Sequence, residues 1–523
     1  MRTTMRNERK FDFENLFIFE LANNHQGSLE HGLRIIREMG EIAREFKIRA
    51  AAKLQFRDLD AIIHPEHEKF SNSHYMKRFL ETRLSEEEFS RLTSEIKNEG
   101  LLTVATPFDE PSVDKIERLG VGVIKIGSPS NQDWPLLERA SQTGKPVIVS
   151  VGGLVIRDID KIVSFFQKRG VHFALLHCVS IYPTPNDKFS LNQIEILKNR
   201  YPGIVIGFST HEEPSNLNAI RLAYAKGARI FEKHVGLETD QIKLNAYSAN
   251  PGQVRAWLGA WREAVEACGE RGEREIPEKE AEDLRTFVRG VWTKREIKAG
   301  ETLNYEDVFF AMPLQEGQLV SGRFLAGLAA DRDYHPNEAL SASLRPDTKS
   351  KKEIVYHSIH AIKGMLNEAK VPVGHDFSVE LSHHYGIERF QEVGAAIIEC
   401  FNREYAKKIL VQLSGQFNPE HYHKLKDETF QVLSGVLEVE VQGRKKILYP
   451  GDMLWIPRGV VHSFGTDAGA VFEEISTANH KEDSFYLDPS IAKLPRDERK
   501  TYLLNWGQHQ LEDIEEQDLT GGV

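Results

Sequence analysis

Ile204-Val205-Ile206-Gly207-Phe208-Ser209-Thr210-His211 and Ala228-Arg229-Ile230-Phe231-Glu232-Lys233-His234 decide the fold. Each is a short apolar run that ends in polar residues, and a helix-like segment, Pro214–Lys226, separates the two. Inside an alternating strand/helix chain, a strand of this kind points its polar end into an active-site mouth. His211 and His234, on neighbouring strands, are then expected to share one metal ion.

The same alternation extends from Leu16 to about Cys268. Apolar runs fall at Leu16–Leu21, Ala50–Phe56, Leu101–Thr106, Val121–Gly127, Pro146–Val151, Phe173–Ser180, Ile204–Thr210 and Ala228–Val235. Helix-like segments such as Leu29–Phe46, Ser85–Asn98, Pro135–Ser141 and Asp158–Lys168 lie between them. Eight strand–helix units in roughly 250 residues predict a closed α/β barrel, the (β/α)8 TIM fold, over an open doubly wound sheet. Glu20, Lys53, Thr106, Lys125, Ser128, Ser150, Ser180, Ser209, His211 and His234 all fall at or just past a strand's C-terminal end. In such a barrel that is the catalytic face.

At 523 residues the chain is too long for a single core. Its formal net charge of −11 argues against nucleic acid or an anionic membrane as partner. No apolar run approaches the ~20 residues of a membrane span, and Met1–Lys10 lacks the apolar core of a signal peptide. Three widely spaced cysteines, Cys178, Cys268 and Cys400, are expected as reduced thiols of a cytoplasmic protein. The expected domains are a barrel over 1–282, a small turn-rich β unit over 283–348, a domain over 349–490 that mixes helix and strand signals in Glu353–Cys400 before it turns strand-dense, and a tail over 491–523 whose acidic end, Glu512–Val523, is solvated.

At the mouth, Lys53 and Lys125 among several hydroxyls suit a phosphorylated, carboxylated anion, with lysine as point charge and the hydroxyls as directed donors. Two neutral imidazoles suit manganese, zinc or iron, and two protein ligands leave positions open for Lewis-acid work. Glu20 can orient a substrate hydroxyl or move a proton. A strand-end histidine alone is more often a satisfied hydrogen-bonder; the joint placement is what makes a site.

Glu20-Leu21-Ala22-Asn23-Asn24-His25-Gln26-Gly27-Ser28, Ala52-Lys53-Leu54-Gln55-Phe56, Ala105-Thr106-Pro107-Phe108-Asp109 and Ile124-Lys125-Ile126-Gly127-Ser128 resemble successive motifs of the sialic acid synthase family. So do His177-Cys178-Val179-Ser180-Ile181-Tyr182-Pro183-Thr184-Pro185 and Phe231-Glu232-Lys233-His234, and 288–345 resembles that family's antifreeze-like domain. The resemblance implies condensation of phosphoenolpyruvate with an open-chain aldose to a 2-keto-3-deoxy sugar acid, in a homodimer whose cap covers the partner's barrel. It implies His211 and His234 as ligands of a divalent metal, manganese first. Lys53, Thr106, Lys125, Ser128, Ser150, Ser180 and Ser209 would hold phosphoenolpyruvate, and Glu20 and Tyr182 would line the sugar side. Two departures stand out. Ile242-Lys243-Leu244-Asn245-Ala246-Tyr247-Ser248 lacks the family's Asp, His and Lys, and Met312-Pro313-Leu314 lacks the arginine of the antifreeze-like domain. Both fall on the sugar side, so the expected acceptor differs from N-acetylmannosamine. A non-acetamido aldose and a non-catalytic sugar sensor are the alternatives.

A second metal site stands on its own spacing. His421 and His423 share a face of a strand, and Glu428 and His462 can complete a three-His, one-carboxylate cage for a divalent transition metal. With Gly415, Gly435 and Gly451 in register, this is similar to the cupin signature. Cupins host isomerases, epimerases and pure binding modules, so the fold leaves the role of this domain open.

Overall fold

The computed structural model describes residues 11–66, 74–209, 211–269, 272, 274–344, 351–374, 377–480, 482–504 and 506. Two units form, residues 1–275 and 276–523. Met1–Lys10, Thr210, residues 270, 271 and 273 of the charged stretch after Cys268, the boundary at 349–350 and the acidic end 512–523 lie outside the described residues.

The first unit is a closed eight-stranded parallel barrel in simple sequential order. Its strands are β1 (Leu16–Glu20), β2 (Arg49–Phe56), β3 (Leu102–Pro107), β4 (Val123–Ile126), β5 (Val147–Ser150), β6 (Phe173–Cys178), β7 (Ile206–Ser209) and β8 (Ile230–His234). Local chemistry starts the intervening helices cleanly. Ser28 caps Leu29–Phe46, Ser85 and Glu88 form a capping box on Glu86–Asn98, and Asn250 with Gln253 does the same for Pro251–Cys268. The amphipathic helix faces bury Ile35, Ile36, Leu92, Ile116, Leu137 and Phe166 against the strands' outer sides.

Inside the barrel, Ile18, Ala51, Val104, Val123, Ile148, Ala174, Leu176 and Ile230 form an apolar plug with Phe13. Each such side chain contributes roughly 1.5–3 kcal/mol when fully buried, the alanines less. Gly207 is required there. A Cβ on it would stand 2.3 Å from Leu176 Cδ2 and 2.6 Å from Ile230 Cβ. Above the plug the register changes the chemistry. β1 sets Glu20 level with Lys53 on one side and His234 on the other, and Ser209 pairs with Glu232. Polar residues thus gather in one layer at the C-terminal end.

In the second unit, Gly290–Thr293 pairs antiparallel with Val308–Ala311, and Thr302–Leu303 with Leu328–Ala329. Val291, Ile297, Leu303, Val308, Leu319 and Tyr334 give this stretch its own small core. Helix Lys351–Glu368 then packs Val355, Ile359, Ile362 and Leu366 against a seven-stranded sheet. That sheet and a five-stranded one enclose Phe430, Val432, Leu437, Val439, Phe464 and Phe472. The expected tail needs correction at its start. Lys500–Leu503 is an edge strand paired with Val379–Ser382, and Leu503 and Trp506 are buried. The apolar alternation in Lys500-Thr501-Tyr502-Leu503 is short and follows a charged stretch, so the sequence does not mark it as a strand. No helix among the described residues is long and apolar enough to cross a membrane.

Candidate active site and candidate metal centre

Four charges are buried together at the barrel mouth. Lys53 Nζ pairs with Glu20 Oε2 and lies 2.9 Å from Glu232 Oε2. Lys125 Nζ lies 3.6 Å from Glu232 Oε1, which accepts a 2.9 Å hydrogen bond from Ser209 Oγ. Glu20 Oε1 accepts from the Ala22 amide at 2.6 Å. Burial alone would lower the Lys53 pKa, but the Glu20 and Glu232 carboxylates outweigh it and hold the ammonium above its usual range. Burial and the neighbouring Lys53 push Lys125 down, against the pull of Glu232. Burial would raise Glu232, yet Lys125 and Lys53 hold it well below the usual carboxylate range.

Around these lysines, Thr106 Oγ1, Ser128 Oγ and Ser150 Oγ are buried without a hydrogen-bond partner. Three orphaned hydroxyls beside two cations form a cradle for an oxyanion, since buried hydroxyls otherwise find partners. Gly152 keeps the cradle open. A Cβ there would stand 2.6 Å from Ser128 Oγ and 3.1 Å from Ser180 Oγ. Ser180 itself is exposed, just past the end of β6.

His211 and His234 meet as the alternation predicts, with ring centroids 5.2 Å apart. The His211 Nδ1–H donates to Val179 O at 3.0 Å, which leaves Nε2 with the lone pair. Burial lowers the His211 pKa to about 4, and burial together with His211 lowers that of His234 well below its usual value. Both rings are therefore neutral near pH 7, as metal ligands must be. Half-exposed Tyr182 lies on His211 at 4.1 Å, and Tyr247 stands 5.1 Å from His234 and 5.2 Å from Tyr182. Beside this mouth a cavity of about 280 Å³ is lined by Asn23, His25, Gln55 and Arg57. Arg57 is held between the Phe79 and Phe108 rings at 4.0 and 3.9 Å.

Residues 41–273 match the NeuB family. A solved candidate spore coat polysaccharide biosynthesis protein E from Chromobacterium violaceum is 44% identical, covers 63% of this chain and 99% of its own, and superposes with a TM-score of 0.61. The chain belongs to the NeuB family. An uncharacterized protein of Methanocaldococcus jannaschii is 32% identical over 57% of this chain and 84% of its own. A pseudaminic acid synthase of Campylobacter jejuni is 27% identical over 62% of this chain and 95% of its own. With such relatives the chain is an enzyme of the transferase type. Residues 410–473 match a cupin domain, so a cupin follows the NeuB barrel along the chain.

In that cupin, His421, His423, Glu428 and His462 bring one ligand atom each within 4.8 Å of the others. His462 Nε2 lies 2.7 Å from Glu428 Oε1, and His423 Nε2 lies 3.7 Å from the same oxygen. The three Nδ1 atoms are anchored on backbone carbonyls, of Pro419 at 2.9 Å, of Asp483, and of Val460 at 3.1 Å. That fixes the tautomers and leaves every Nε2 for a ligand role. With the His462 proton on Nδ1, its Nε2 and Glu428 Oε1 face each other as two buried acceptors with no hydrogen between them, an opposition that an ion would relieve. The donor set fits a divalent transition metal.

Two residues of these centres escape a reading of the sequence. Glu232 sits within a stretch whose polar signal is taken by His234, although strand alternation puts the two on one face. Tyr247 lies in an irregular loop, where no periodicity marks it.

Proposed function

We propose that the NeuB barrel condenses phosphoenolpyruvate with an open-chain, hexosamine-like aldose, giving a nonulosonate-type 2-keto-3-deoxy sugar acid and phosphate for surface glycans. The observation that carries this reading is the cradle of orphaned Thr106, Ser128 and Ser150 hydroxyls around Lys53 and Lys125, beside two neutral histidines. Lys53 and Lys125 receive the phosphate and carboxylate charges, and the hydroxyls, with Ser180 and Ser209, orient their oxygens. Held so, C3 of phosphoenolpyruvate attacks the aldehyde carbon, water adds at C2, and phosphate leaves by C–O cleavage. His211 and His234 would hold a divalent ion, manganese first, which supplies polarisation of the aldehyde when bound. Glu20 is fixed by Lys53 and the Ala22 amide, and with Tyr182 it lines the sugar side.

The pseudaminic acid synthase among the relatives supports a nonulosonate product. Residues 283–348 act as an antifreeze-like cap in a cytoplasmic homodimer, a reading supported by the motif resemblance and by three unpaired cysteines. The cupin holds a second divalent transition metal through His421, His423, Glu428 and His462. The deciding experiment measures phosphate release from phosphoenolpyruvate with manganese and a panel of acetamido and non-acetamido aldoses. Release with one class of aldose is expected. Bound phosphoenolpyruvate with no release across the panel would sink the reading and favour a sugar sensor.

A further inference from the structure

We propose that the cupin barrel binds an anionic sugar derivative, whose carboxylate or phosphate oxygen meets the ion held by His421, His423, Glu428 and His462. The proposal rests on the metal reading above and adds the charge class of the ligand. Its basis is a chain of buried charges behind the ligand set. Lys426 Nζ lies 2.6 Å from Glu428 Oε2 and 2.9 Å from Glu474 Oε1, and Lys408 Nζ lies 3.1 Å from the same Glu474 oxygen. All four side chains are at least nine-tenths buried.

The charges in this chain already cancel, two lysines against two glutamates. The nearby Asp483 carboxylate, held by the backbone amides of Lys424, Leu425 and Lys426, adds one negative charge. Imidazoles ligate as neutral groups. A divalent ion brings two positive charges into the interior; Glu428, the one anionic ligand, is already balanced by Lys426, and Asp483 offsets only one of the two. Arg499 lies 5.5 Å over the Tyr486 ring, Tyr486 stacks on His421 at 5.4 Å, and Arg499 Nε is buried without a hydrogen-bond partner. Buried charge is tolerated when it is paired. A neutral aldose would leave this excess standing, whereas a sugar acid or sugar phosphate would offset it.

The test uses the full chain with His211→Ala and His234→Ala, so that added cobalt(II) reports on the cupin alone through its visible band. Pyruvate, methyl pyruvate, inorganic phosphate and N-acetylmannosamine are titrated separately. Pyruvate or phosphate should shift the band saturably, and the neutral ester and neutral sugar should not. A response to pyruvate alone assigns a sugar acid, and a response to phosphate alone a sugar phosphate. Lys426→Met should weaken the responding anion at least tenfold with the cobalt band retained. If that variant loses its metal, the ratio of pyruvate to methyl pyruvate affinity in the chain with Lys426 intact decides. An equal response to the neutral sugar, or silence from both anions with cobalt bound, overturns the proposal. Absence of any cobalt band overturns the metal reading itself.

Discussion

Lys53 Nζ stands 2.9 Å from Glu232 Oε2, and neither side chain reaches solvent. Glu232 is also the carboxylate facing Lys125, so one residue compensates two buried ammonium groups. Removing its charge leaves Glu20 to balance both lysines. Breaking a buried pair in this way costs about 3–5 kcal/mol. Glu232→Gln should therefore lower stability by an amount of that order, measured by denaturant unfolding. An added oxyanion would restore the missing charge, so phosphoenolpyruvate should raise the melting temperature of the variant by more than it raises that of the wild type. Equal shifts would mean that the lysines do not face the phosphoenolpyruvate site.

Gly152→Ala tests the cradle by filling it. Its Cβ would crowd Ser128 Oγ at 2.6 Å and Ser180 Oγ at 3.1 Å. The two hydroxyls can swing aside and the Cys178 carbonyl, 3.2 Å from that Cβ, must give by a few tenths of an ångström, so the fold should survive with a modest fall in melting temperature. The KM for phosphoenolpyruvate should rise tenfold or more, with the acceptor KM little changed. An unaltered phosphoenolpyruvate KM would place the anion elsewhere.

The barrel was legible because its period is local. Each strand is a short apolar run, and its polar end shows in the sequence itself, as at Lys53 and His211. The cupin ligands were legible for a similar reason, since His421 and His423 are two residues apart on one strand. Lys426 was not, because a lysine in Lys424-Leu425-Lys426-Asp427 reads as a solvated turn. Its burial depends on Glu474, a residue 48 positions away whose carboxylate it meets across the barrel. Glu232 was hidden for the same reason, its two lysine partners lying on β2 and β4.

Acid should loosen both units. Burial lowers the pKa of His25 and of His383 to about 4, from an ordinary value of 6.5. The unfolded chain then binds a proton below pH 6.5 that the folded chain refuses until about pH 4. Stability is full above that window and falls as the pH drops through it, by about 2 kcal/mol for each such histidine between pH 7.5 and pH 5. His25 Nδ1 accepts from the Gly27 amide at 3.1 Å, a role that an asparagine oxygen can take. His25→Asn should flatten the pH dependence of barrel unfolding and leave that of the second unit unchanged. A slope identical to wild type would show that His25 titrates normally in the folded protein.

Metal content tests the cupin centre directly. With two sites, the purified chain should carry two equivalents of divalent metal when loaded, and His421→Ala should carry one. Binding stabilises the folded state in proportion to the logarithm of ligand over dissociation constant, about 4 kcal/mol at a thousandfold excess. Chelation should therefore lower the melting transition of the second unit in the wild type and have much less effect on that unit in His421→Ala. An unchanged metal count in the variant would dismiss His421 as a ligand.

Tyr247 is the sharpest test of the sugar side. Its ring stands 5.1 Å from His234, 5.8 Å from His211 and 5.2 Å from Tyr182, so it closes an aromatic wall over the candidate metal ligands. The wall stands where an aldehyde must approach if His211 and His234 hold the polarising ion, and it lies apart from the Thr106, Ser128 and Ser150 cradle in the sequence of strands. Truncation to alanine removes apolar contact on the acceptor alone, worth about 1–3 kcal/mol or roughly 10–200-fold. Tyr247→Ala should raise the acceptor KM by at least tenfold, keep the phosphoenolpyruvate KM within about twofold, and accept bulkier aldoses than the wild type. Should phosphoenolpyruvate binding weaken as much as acceptor binding, Tyr247 would be supporting the histidines rather than selecting the sugar.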